Sequence, residues 1–177
     1  MNGTAPPQLT PDDFERRVLA RQLELLSAPS RGIALGFPVW AAVVCWMASG
    51  TFPALGATPL PVSLTWFGVV VLSCVAALAI DKAYRTARTQ PEFDPVLWLQ
   101  RHTAVATVMS GLWASLIWVF WIDDNPTNQL SLAILVLCGI TNGVISRMHR
   151  FETFLIGSGL AVAILWAKLA TGTSDVP

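Results

Sequence analysis

The side chains of this 177-residue chain that could do chemistry are two adjacent carboxylates, two histidines, one amide inside an apolar run and three thiols. Asp123 and Asp124 stand in a short turn, Asp-Asp-Asn-Pro, between two apolar runs. Such a pair could bind a cation or sense pH, but as a solvated turn it would only cap a hairpin and fix its orientation. His102 and His149 flank the same two runs at their other ends. If the runs pack antiparallel, the imidazoles could meet and hold a metal, or serve as axial ligands to haem. No Cys or carboxylate completes a recognised ligand spacing around them, and the plainer reading is two solvated interfacial histidines beside arginines.

Asn142 lies between Gly139 and Gly143 in a small-xxx-small pattern, and Gly32 and Gly36 make another. Glycines at this spacing let helix backbones approach, and an intramembrane amide can bond across the contact, so packing accounts for both features without a bound ligand. Trp113, in Ser110-Gly111-Leu112-Trp113, is a further candidate for ligand binding or helix packing. Cys45, Cys74 and Cys138 fall in three different apolar runs with no CxxC; they read as small buried apolar residues. There is no phosphate loop, no HExxH, no Ser/His/Asp set and no charge deep in an apolar run. No catalytic residue is assigned, no cofactor is implied, and any catalytic module would lie beyond this chain.

The elements that position these residues follow from composition. Hydrophobic residues make up 54% and charged ones 12%, about half the charge of a soluble domain. The expected fold is all-α, a polytopic transmembrane helix bundle of five spans at 33–52, 62–80, 103–122, 130–146 and 154–170. Each is about long enough to cross a ~30 Å hydrocarbon core at 1.5 Å per residue. Residues 1–31 form an N-terminal segment with a short amphipathic helix over 11–26, where Thr10 and Pro11 start the helix and Asp12, Asp13 and Glu15 occupy its first turn. Residues 32–177 form the bundle. Asp94 followed by Pro95 marks the start of the third long helix. Trp46, Trp66, Trp118 and Trp121 are expected at one membrane interface.

Charge then sets the orientation. Arg16, Arg17, Arg21, Arg31, Lys82, Arg85, Arg88, Arg101, Arg147 and Arg150 all fall on one side of this arrangement, and Lys168 alone falls near the other. Cationic loops stay cytoplasmic, so the N-terminus is expected inside and the Asp123 turn outside, in a bacterial inner membrane. The lipid bilayer is the expected partner, with a second copy of the chain; balanced net charge gives no nucleic-acid footprint.

Several stretches resemble the membrane input region of bacterial signalling proteins: Arg21 with Leu25 and Leu26, Trp98 to Arg101, Ser110 to Trp113, and Gly139 with Gly143 and Ser146. In that family a bundle of usually six spans precedes a cytoplasmic diguanylate cyclase, phosphodiesterase or histidine kinase module. The resemblance implies a non-catalytic signal-sensing module, a sixth span in the complete protein and a cytoplasmic effector domain after it. A small permease or an accessory subunit of a membrane complex is the alternative, and it would call for an internal repeat and broken helices.

Overall fold

The structure is a computed structural model that describes residues 11–147 and 151–172. Among the described residues it is all-helical. Helix α1 (Pro11–Met47) lies along α2 (Leu60–Ala87). Helix α3 (Pro95–Ala114) leads into a single turn, α4 (Leu116–Val119). Helix α5 (Pro126–Arg147) returns, and α6 (Phe151–Gly172) packs on α3 and α5.

The sequence predicts a short helix and then a separate first span, but α1 is one continuous helix of 37 residues. Its buried stripe explains the difference. Leu23, Ala34, Phe37, Ala41 and Val44 are all covered, and separations of 11, 3, 4 and 3 residues keep them on one helical face. Pro29 and Pro38 each remove one backbone donor, yet the stripe is packed on both sides of Pro29, Leu23 against Tyr84, Trp98 and Leu99 and then Phe37, Ala41 and Val44 in the cluster that holds Trp66 and Val70, which carries the helix through. The helix stops at Met47, short of the predicted 52, because Ser49 turns back on Trp46 O through its hydroxyl (2.7 Å) and Gly50 takes a φ of 88°. A 3-10 turn at Pro53–Leu55 and a bond from Thr58 N to Ala48 O (2.8 Å) close the connection to α2.

Helix α2 runs beyond the predicted 80 to Ala87, so Asp81, Lys82 and Arg85, expected in a polar loop, are helical. No residue before Pro91 opposes helix. Asp94 caps α3 as expected, its carboxylate accepting from Val96 N (2.9 Å) and Leu97 N (3.4 Å). The run 103–122 is not a single helix, however. α3 ends at Ala114, and the Ser115 hydroxyl donates to Leu112 O (2.7 Å) and accepts from the Trp66 indole (3.0 Å) where the chain breaks into α4.

Two helical stretches, Leu60–Ala87 and Pro95–Val119, are long and apolar enough to cross a membrane, and only 28% of the apolar window in each is buried. A helix of the same composition in a soluble core would be mostly covered. Here large apolar side chains such as Leu64, Leu72, Val75 and Val108 face outward. Inside the bundle one cluster joins Phe37, Trp66, Val70, Ile117, Phe120 and Val136, and a second, near the charged end, joins Leu23, Tyr84, Trp98 and Leu99.

A buried polar cluster between two helices

The second cluster holds the chemistry. Asp81 and Tyr84 lie three residues apart on α2, and Trp98 and His102 four apart on α3, so each pair projects from one helical face toward the other. The Tyr84 ring meets His102 edge-on (5.3 Å between centroids, 89°) and leans on Trp98 (5.8 Å) and Phe93 (6.1 Å). Arg101 lies over the Trp98 ring at 4.6 Å. Helix α1 closes the cluster with fully buried Leu23.

Asp81 and His102 are both buried. One Asp81 oxygen, Oδ2, pairs with Arg85 Nη2 at 3.1 Å. Among the described residues, the other, Oδ1, and His102 Nε2 have no hydrogen-bond partner. A buried polar atom left unpaired costs roughly 1–3 kcal/mol. Both residues lie beyond the apolar stretches 62–80 and 103–122. Burial holds the His102 imidazole below the usual histidine pKa, and the negative charge of Asp81 pulls it back up in part. Burial likewise pushes the Tyr84 hydroxyl up, with Arg88 pulling it down.

The residues singled out from sequence are placed differently. Trp113 and Gly139 come together: the Trp113 indole donates to Leu135 O (2.9 Å) and lies where a side chain on residue 139 would stand. Gly139 therefore admits a ring rather than a helix backbone. Asn142 is exposed, and among the described residues its amide meets no neighbouring helix. Gly143 is in α5, but its surroundings lie outside the described residues, as does His149, so the expected pairing of the two histidines falls outside them too. His102 itself is not solvated, because Tyr84 covers it. Asp123 and Asp124 are exposed in the turn, with Asp124 in the left-handed region (φ 62°). Gly32 and Gly36 meet nothing within 4 Å. Among the described residues no three His, Cys, Asp or Glu side chains gather to hold a metal ion.

Other placements follow expectation in part. Trp66, expected at an interface, is buried against Phe120 (5.3 Å, edge-on), while Trp46 is exposed. Cys74 is buried as expected, whereas Cys138 is exposed and Cys45 lies between. Lys168 reaches over both Trp118 (5.4 Å) and Trp121 (5.3 Å).

Sequence reasoning missed Asn128. It is buried, accepts from Ile122 N (3.0 Å) and donates to Leu55 O (3.1 Å), tying the α1–α2 connection to the start of α5. Gly56 permits this contact: its φ is 74°, and a side chain there would meet Ile122 Cδ1 at 2.6 Å. The signal was present in Asn125-Pro126-Thr127-Asn128, a cap in which Asn125 Oδ1 accepts from Asn128 N (3.0 Å). Beside Asn128, a cavity of about 30 Å³ lined by Val44, Leu55, Phe120 and Leu132 has room for water but not for a solute. No protein-family model, curated protein or solved structure matches the chain.

Proposed function

We propose that this chain is a membrane-embedded signal-input module, non-catalytic in itself, inserted as five spans in a bacterial inner membrane with its N-terminus in the cytoplasm. The observation that carries the reading is the continuity of α1. At 1.5 Å per residue its 37 residues extend about 55 Å, well beyond a ~30 Å hydrocarbon core. One rigid element therefore joins the lipid-facing bundle to a charged segment outside it, and a change in helix packing moves that segment. The segregation of ten of the eleven cations to one side supports the orientation. Gly32 and Gly36, left open within one chain, offer α1 a face for a second copy. A cytoplasmic effector domain would receive the motion, and the stimulus has to bind two packings with different affinity.

Two measurements test this. Alkaline phosphatase joined after Asp124 should be active and a fluorescent protein joined after Gln90 should fluoresce; the opposite pattern overturns the topology. Spin labels at residue 17 in the full chain, in bilayers, should report a distance between two copies that changes with bilayer thickness, pH or membrane potential. A distance fixed under all three overturns the signalling role.

The break at Ser115 favours a permease as the second reading, since broken helices surround transport sites. The Ser115 hydroxyl, however, is occupied by Leu112 and Trp66 and is not turned to a solute path. Solute flux through the purified chain in liposomes would reverse the preference.

A further inference from the structure

Asp81 and His102 are 6% and 7% exposed, and the signal-input reading uses neither. With the imidazole neutral and its hydrogen on Nδ1, both orphaned atoms, Asp81 Oδ1 and His102 Nε2, are acceptors without a donor. One proton would supply both. We propose that Asp81 and His102 form a proton-binding site, in which a proton taken up at His102 Nε2 is then shared with Asp81 Oδ1 and draws α2 onto α3.

Three features build the site. Arg85 holds Oδ2 at 3.1 Å, which orients the carboxylate and leaves Oδ1 as its open acceptor. Tyr84, on the same face of α2 as Asp81, meets the imidazole edge-on at 5.3 Å and keeps the ring beside that face. Asp81 lies one helical turn before the Tyr84 ring that touches the imidazole, yet among the described ion pairs Asp81 is joined to Arg85 and not to His102. The two helices must therefore shift for the protonated pair to close. Proton uptake forms one N–H bond at Nε2 from a hydronium ion and leaves water; no other bond changes.

The charged surroundings permit this. On α2 Arg85 is paired with Asp81, and Arg88, the residue that follows the helix, acts on Tyr84. On α1, Glu24 acts on Tyr84 and is paired with Arg21. On α3, Arg101 is stacked on Trp98. On α5 and α6 the titratable side chains described are Cys138, which is exposed, and Lys168, which lies over Trp118 and Trp121 at the other end. Asp81 is thus the one buried carboxylate at the imidazole among the described residues.

The test uses the full chain in bilayers with His149→Asn, so that His102 is the only histidine. Its imidazole, followed by nitrogen NMR, should titrate below the ordinary value of about 6.5, and Asp81→Asn should lower the midpoint further by about one pH unit. Titration like an exposed histidine, absence of titration between about pH 4 and 8, or a midpoint that ignores Asp81→Asn would each overturn the site. Should Asp81→Asn fail to fold, spin labels at residues 88 and 101 in the Asp81 chain decide: they should approach on acidification, and an unchanged distance overturns the proposal. The titration can succeed while the α1 labels stay still, which separates this site from the signal-input reading.

Discussion

Replacing Gly139 by Ala adds one methyl group, and the structure fixes where it goes. The new Cβ falls on the Trp113 indole, so the ring must leave. Three losses follow. The indole bond to Leu135 O is worth about 1 kcal/mol, the ring contact with Phe37 at 5.4 Å is worth about 0.5–1.5 kcal/mol, and forcing a side chain into a filled site costs about 1–3 kcal/mol. Against them stands the helix preference for Ala over Gly, about 1 kcal/mol. Destabilisation wins, by about 1.5–4.5 kcal/mol. The assay is unfolding of the purified chain in mixed micelles by added SDS, followed by circular dichroism. Gly68→Ala is the control: nothing lies within 4 Å of its Cβ, so it should be neutral or stabilising by up to about 1 kcal/mol. Were Gly139→Ala as stable as the parent while Gly68→Ala behaves as stated, Trp113 would not occupy that space and the reasoning would fail.

Asn128→Ala leaves Ile122 N and Leu55 O without their partner and should cost about 2–4 kcal/mol in the same assay; a loss under about 0.5 kcal/mol would mean water replaces the amide. Asp94→Ala removes the α3 cap and should cost about 1 kcal/mol, with Asp94→Asn losing less. The folded state holds His102 below its unfolded pKa, so between those two values the unfolded chain binds more protons and stability rises with pH. Acidification from about pH 7 to 5 should therefore lower the melting temperature of the parent. That part of the fall should vanish in His102→Gln, and an equal fall in both would assign it elsewhere.

How much of this was legible in the sequence depends on whether a residue's role is local. Asp94 and Pro95 announce a helix start through bonds that span three residues, and the structure has that cap. The helical content likewise follows from apolar runs too long for strands. The continuity of α1 was hidden because the amphipathic pattern over 11–26 and the apolar run over 33–52 read as two elements, while what joins the two halves is a face completed by Tyr84, Trp98 and Trp66 from elsewhere in the chain. His102 reads from sequence as a solvated interfacial histidine, whereas its burial depends on Tyr84, which comes from another helix. Trp113 and Gly139 could each be picked out, but their contact could not, since it joins two helices through a ring of one and the missing side chain of the other.

Asn128 has a consequence for the order of assembly. Its bond to Leu55 spans 73 residues, one of the long closures in the molecule. A chain made from its N-terminus presents the α1–α2 connection long before residue 128 exists, so the Leu55 carbonyl lacks this partner until the first turn of α5 arrives. Closing so long a loop comes late on entropic grounds as well. The amide thus acts as a latch that snaps shut only when the second pair of helices is in place, and a chain stalled before that point is left with an open end.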